Sequence, residues 1–187
     1  MILGDGYLTP SFGQSQRSAL DIKGDNRYLS YLQWLRLVLQ PLGVSDLKPK
    51  KGYHQHRFYT RTNSELGKLR KIFYPQGVKI IPKSIKGLLN HPLTLAVWYQ
   101  DDGTLDCRDK YHYNALFATH CFSFQGCTSL AKTLAANFGL DVRVCKCRMR
   151  GKLRFRLYIV SKSMDRFINL VKPYIKPCFA YKIRERE

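Results

Sequence analysis

Hydrophobic and polar positions alternate along this chain in two rhythms, one helical and one of period two. The apolar stretch Leu93-Thr94-Leu95-Ala96-Val97-Trp98-Tyr99 runs without a charge and ends in Gln100-Asp101-Asp102-Gly103. It predicts a buried helix with Pro92 at its tolerated first position. Gly103 can supply the left-handed residue that stops it. Acid at a helix C-terminus faces the negative end of the helix dipole. Two carboxylates delivered there predict a positive partner, most simply a metal ion. The bland alternative is an exposed Asp-Asp-Gly turn behind a core helix.

Period-two runs flank this stretch on both sides. Ahead of it, Tyr7 to Phe12 and Arg17 to Lys23 read as strands joined at Gly13-Gln14-Ser15-Gln16. Asp25 or Asn26 caps a helix from Arg27 to Leu39. A hairpin follows, Asp46 to Lys51 and His54 to Arg61, turning near Gly52. In it Arg57, Tyr59 and Arg61 share one face, Phe58 and Thr60 the other. A helix capped by Asn63 or Ser64 runs to Ile72. Behind the central stretch the order repeats: strands Thr104 to Lys110 and Asn114 to His120, then a helix Thr128 to Phe138. A hairpin Val144 to Arg150 and Lys152 to Val160 turns at Arg150-Gly151, and a helix Ser163 to Val171 and a basic tail follow. In that hairpin Lys146, Arg148, Arg150, Lys152, Arg154, Arg156 and Tyr158 alternate with Cys145, Cys147, Met149, Leu153, Phe155, Leu157 and Ile159. We read the alternation as every base on one face and every apolar residue on the other.

The fold class expected is α+β: two pseudo-symmetric αββαββ halves with antiparallel sheets, one sheet face under helices and the other charged. The halves are placed at 1–83 and 93–187, with 84–92 as linker.

Charge names the partner class. Thirty-two Lys and Arg against thirteen Asp and Glu give a net charge of +19 in 187 residues. That balance predicts a polyanion, nucleic acid ahead of an anionic membrane surface. No run approaches a membrane span, and no signal-peptide core opens the chain. Six cysteines without a Cys-x-x-Cys pair argue against zinc and for free thiols in a reducing, intracellular compartment. Organelle or bacterial cytoplasm is left undecided. His54-Gln55-His56 alternates across a strand and is rejected as a metal site. Cys145 and Cys147 are assigned to the core. The basic face has a bland alternative, a solvated edge strand. Such an edge predicts mixed signs, and a run of like charges in a hairpin is costly, which favours a bound polyanion. A two-stranded ribbon fits the DNA major groove. Lys146, Arg148, Arg150, Lys152, Arg154, Arg156, Tyr158, Arg108 and His120 are the second-half candidates. Arg17, Lys23, Lys48, Lys50, His54, Arg57, Tyr59 and Arg61 are their first-half counterparts.

Met1-Ile2-Leu3-Gly4-Asp5-Gly6 repeats the apolar-Asp-Gly pattern, and Asp5 and Asp102 lie 97 residues apart. With Leu95 to Gly103, Phe122-Ser123-Phe124 and its following helix, and Leu170-Val171-Lys172-Pro173-Tyr174 through Tyr181-Lys182, the pair resembles the LAGLIDADG homing endonucleases. The likeness is to the single-chain form with two motifs. It spans nearly the whole chain, most closely the second half. Only Met1 to Gly4 precede Asp5, where the family motif needs at least three further positions, so either this sequence starts late within the first motif helix or that helix has lost a turn. His120 departs from a related mitochondrial intron-encoded pattern, which carries Gln there.

The resemblance implies Asp5 and Asp102 as catalytic, metal-binding carboxylates, with Gly4 and Asp101 adding backbone oxygens. It implies motif helices at a central interface and the sheets as a basic DNA-binding saddle. Hard oxygen ligands and phosphate substrates imply Mg²⁺, with Mn²⁺ able to substitute. Lys79 and Lys182 match family positions near the cleavage sites. They lie 74 residues after Asp5 and 80 after Asp102. Without the resemblance both read as solvated lysines. The function implied is a monomeric, Mg²⁺-dependent endonuclease for intron homing. It would make a staggered break at a long, asymmetric site in double-stranded DNA. The alternative is an intron maturase or RNA-splicing factor on the same fold, with intron RNA as its partner. A third reading is a transcription regulator on a degenerate copy.

Overall fold

The computed structural model describes residues 1–11, 16–108 and 112–184. It divides into two compact units, Met1–Gly77 and Val78–Glu187. The division falls ahead of the expected end of the first half at 83, so Lys79 belongs to the second unit.

In the first unit, β1 (Tyr7–Leu8), β2 (Leu20–Asp25), β3 (Lys48–Pro49) and β4 (Gln55–Tyr59) form one antiparallel sheet in the order β1-β2-β4-β3. Helices α1 (Leu29–Val38) and α2 (Ser64–Phe73) supply the apolar cover. Leu8, Leu20, Ile22 and Phe58 from the strands are buried with Tyr31, Leu32 and Leu35 of α1 and Leu66 and Phe73 of α2. The expected caps form. Asp25 accepts from Arg27 N at 2.9 Å, opening a short 3-10 turn into α1, and Asn63 accepts from Glu65 N at 2.6 Å. The first strand is shorter than expected: Pro10, which has no N–H for a ladder, follows two residues after Leu8. Phe12 and the expected turn Gly13-Gln14-Ser15 lie outside the described residues. Residues 2–5 are a turn rather than a helix, with Gly4 N and Gly6 N both donating to Met1 O at 3.0 Å. Gly4 within it disfavours helix by about 1 kcal/mol.

The second unit repeats the topology. Its sheet order is β5-β6-β8-β7, from β5 (Gly103–Arg108), β6 (His112–Phe117), β7 (Val142–Met149) and β8 (Lys152–Ile159). Here the leading helix is present as α4 (Pro92–Asp102), with α3 (Ile85–Leu88) before it. Helices α5 (Phe124–Phe138) and α6 (Met164–Val171) follow the two strand pairs. The expected linker is thus part of this unit: Asn137 on α5 donates to Lys86 O and Leu89 O, each at 2.7 Å. Helix α5 starts four residues before the expected Thr128, because Ser123 Oγ accepts from Gly126 N at 3.1 Å and caps an earlier turn. Strand β6 ends at Phe117, so His120 sits in the turn behind it. Residues 109–111, where the expected strand Thr104 to Lys110 would end, and 185–187 of the basic tail lie outside the described residues.

Residues Leu95 to Gln100 of α4 are all buried. The Trp98 and Tyr99 rings pack on Phe117 at centroid distances of 4.2 and 5.4 Å, and Phe167 of α6 meets Tyr99 edge-on at 4.8 Å. This aromatic cluster holds α4 against its own sheet and so fixes where its acidic end points. Among the described residues no helix is long and apolar enough to cross a membrane.

Candidate active site and nucleic-acid interface

Helix α4 ends at Asp102 and the chain enters β5 without a left-handed residue. Gly103 has φ −84° and ψ 151°, ordinary extended backbone. This corrects the expected role of Gly103. Glycine is needed because a Cβ there would lie 1.9 Å from Tyr99 Cδ2 and 2.3 Å from Tyr99 O. Gly6 is a milder version, since its Cβ would meet Met1 O at 3.0 Å. Both motif glycines are sites of close approach.

The positive partner expected at this helix end is supplied in part by the chain itself. Lys182 is only 7% exposed, which removes the solvated-lysine alternative. Its Nζ donates to Gln100 O at 2.7 Å and Tyr99 O at 3.3 Å, the carbonyls of the last turn of α4. Its own carbonyl accepts from Tyr99 Oη at 2.9 Å. A cation on the last carbonyls is favoured by the dipole, and it offsets the placement of two acids there. Burial pushes the Tyr99 hydroxyl pKa well up, so it stays a donor.

Lys79 is half-buried in the same unit, with Nζ 5.9 Å from the Phe122 ring centroid. Burial pushes the Cys121 thiol pKa up; the Lys79 cation opposes that shift and the Asp102 carboxylate adds to it. Lys79, Cys121 and Asp102 therefore share one electrostatic neighbourhood. Asp101 and Asp102 are half-buried, and Asp5 in its turn is exposed. Among the described residues no group of three or more His, Cys, Asp or Glu converges. A hard donor set of one or two carboxylates, completed by phosphate and water, is how Mg²⁺ is commonly held, and the residues at the end of α4 fit it. Behind Asp5, Arg70 of α2 anchors β1. Its guanidinium lies 5.4 Å from the Tyr7 ring and 4.3 Å from the Tyr74 ring and donates to Leu8 O.

Cross-strand register decides which bases share a face, because directly paired residues point to the same side. In β7–β8, Cys145 pairs with Arg156, Lys146 with Phe155, Cys147 with Arg154, Arg148 with Leu153, and Met149 with Lys152. The expected all-basic face is therefore wrong. A two-residue turn, Arg150 (φ 49°) and Gly151 (φ 75°), pairs odd with even positions and flips the parity between strands. Lys152, Arg154, Arg156 and Tyr158 share the open side with Cys145, Cys147 and Met149. Lys146 and Arg148 share the α5 side with Leu153, Phe155 and Leu157, where Phe155 packs on Phe124 at 5.3 Å. Both remain exposed at the hairpin's outer end. Cys145 and Cys147 are half-exposed on the open side rather than in the core. Sequence reasoning also missed Arg143, which pairs with Tyr158 on the open side; counting back from the turn would have found it. Arg108 is on that side too. His120 lies near it: burial first, then Arg156 and Arg154, hold its pKa below the ordinary imidazole value.

In the first unit the register brings Lys23, Lys48, Arg57 and Tyr59 to one side, with Tyr7 and Asp21. Arg61 extends that side and is exposed, as are Arg17 and His54 around the sheet, while Lys50 is half-buried. Arg17 donates to Thr62 O at 3.0 Å, and Lys50 Nζ sits 3.9 Å from the Tyr53 ring centroid.

Fold and site define an α+β protein of two repeated units, with a basic sheet side on each and a carboxylate pair closing a buried helix. The LAGLIDADG DNA endonuclease family model matches residues 1–167. The chain belongs to that family. It is 29% identical to the DNA endonuclease I-ChuI of Chlamydomonas applanata, over 98% of this chain and 91% of that protein. It is 26% identical to the cytochrome b mRNA maturase bI2 of Saccharomyces cerevisiae, over 97% of this chain but only 45% of the maturase. Among solved structures, the homing endonuclease I-WcaI bound to its DNA recognition sequence matches with a TM-score of 0.80 and 25% identity, covering 100% of this chain and 83% of that one.

Proposed function

We propose that this chain is a monomeric, site-specific endonuclease of the homing type. It makes a staggered break in double-stranded DNA at a long, asymmetric site. The observation that carries the reading is Asp102 closing the buried helix α4 in a unit whose open sheet side is basic. An acid among phosphates lowers nucleic-acid affinity, and holding a cation for the reaction accounts for one at the end of α4.

Asp102 with the Asp101 backbone oxygen, and Asp5 with that of Gly4, would each help hold a divalent cation, Mg²⁺ with Mn²⁺ as substitute, each serving one strand. A cation held there would lower the pKa of a water and offset charge on the leaving oxygen. Lys79, beside Asp102 electrostatically, neutralises phosphate charge in the transition state. Lys182 works as a positioning residue, since its donors reach the carbonyls at the end of α4. The basic residues of the two sheets differ, and that difference reads dissimilar half-sites.

The test is Asp5→Asn and Asp102→Asn on supercoiled plasmid carrying a site selected by the wild-type protein. Double-strand cleavage should be lost while affinity in metal-free buffer is kept or rises. Tight binding by wild-type protein without any cutting would overturn the reading. It would move splicing of intron RNA ahead, a second reading supported by the likeness to maturase bI2.

A further inference from the structure

Among the carboxylates on the basic sheet sides, where the proposed DNA contact disfavours them, two are largely buried. Asp21 on β2 and Asp106 on β5 have side chains only 12% and 18% exposed. Each holds one arginine by a two-bond fork. Arg57 Nε and Nη2 donate to Asp21 at 2.6 and 2.9 Å, and Arg108 Nε and Nη2 donate to Asp106 at 2.7 and 2.8 Å. The arginines themselves stand 49% and 67% exposed above their acids. An acid facing phosphates weakens non-specific affinity. Its presence under an arginine therefore calls for a return other than affinity.

That return is orientation. With the Nε–Nη2 edge committed, the guanidinium plane is fixed and the opposite edge, one N–H from each Nη, faces outward. Two parallel donors in a fixed plane match the O6 and N7 acceptors of guanine in the major groove. Phosphate contact requires no such fixing. Lys152, Arg154 and Arg156 make no ion pair among the described residues. The fork at Asp25 and Arg27 differs in kind. Its acid is 36% exposed, against 12% and 18% for the other two, and Asp25 is already the cap on Arg27 N.

We propose that Asp21–Arg57 and Asp106–Arg108 are the guanine-reading elements of the two sheets, and that Lys152, Arg154 and Arg156 bind phosphate. This rests on the double-stranded DNA reading above. Asp21 and Asp106 are positioning residues that set specificity through their arginines.

The experiment selects a binding site for the wild-type full chain from a randomised duplex pool. It then measures affinity for that duplex and for every single base-pair substitution of it in metal-free buffer. Asp21→Asn and Arg57→Lys should each lose roughly tenfold discrimination at the same one or two base pairs. Asp106→Asn and Arg108→Lys should do so at a different position. Arg57→Lys and Arg108→Lys keep the charge, so the salt dependence should hold. Arg154→Ala and Arg156→Ala should weaken all duplexes alike. Thermal melting of each variant shows that it is folded. If folded Asp21→Asn and Asp106→Asn proteins discriminate as wild type does, or weaken every duplex equally, the assignment is overturned. If wild-type protein selects no duplex at all, it is the DNA reading that fails.

Discussion

Replacing Lys182 by Met separates a buried strut from a solvated lysine. Methionine keeps an unbranched stem beside the Phe179 ring, which lies 5.0 Å from Nζ, and removes only the charge and its donors. Two carbonyls, of Tyr99 and Gln100, lose a charged donor at 3.3 and 2.7 Å. A hydrogen bond to a charged group is worth about 1.5–3 kcal/mol, and the longer of the two counts for less. The favourable dipole contact adds roughly 0.3–1 kcal/mol. Relief from desolvating an ammonium works in the other direction. The expected net loss is about 2–3 kcal/mol. For a domain of this size each kcal/mol lowers Tm by roughly 2–4 °C, so the drop should be about 4–12 °C. Thermal and urea unfolding followed by circular dichroism read it, with the urea slope unchanged. A Tm within about 2 °C of wild type would refute the strut argument and return Lys182 to solvent.

Gly103→Ala should destabilise by about 3 kcal/mol, because the new methyl collides with Tyr99. Gly87→Ala, where nothing lies within 4 Å, should leave Tm unchanged or raised, and differential scanning fluorimetry compares the two. His120 has its pKa held down by burial and by Arg156 and Arg154. The unfolded chain therefore binds the extra proton first, and stability falls as pH drops below about 6.5. His120→Asn should flatten that acid loss in urea titrations across the window, and an unchanged pH slope would refute it. Arg154→Ala and Arg156→Ala should each reduce the slope of log affinity against log salt by about one. Lys146→Ala, on the other side of the hairpin, should change it less; equal effects would undo the two-sided assignment.

Local signals were legible in the amino-acid order. The run Leu93 to Tyr99 with Pro92 ahead of it read as a buried helix, and it is one. Asp25 or Asn26, and Asn63 or Ser64, read as caps, and the first of each pair accepts a backbone hydrogen of the turn it opens. The repeated strand order followed from spacing alone, because period and turn residues act within a few positions of each other. Long-range contacts were decided by the tertiary structure. Lys182 reaches carbonyls more than 80 positions away, and nothing local distinguishes it from its solvated neighbours. Gly103 owes its identity to the Tyr99 ring folded back over it, not to a left-handed turn. The alternation in the last hairpin was read correctly on each strand and wrongly between them. Each strand carries its own period, but only the pairing across a two-residue turn states which phase of one strand shares a side with which phase of the other.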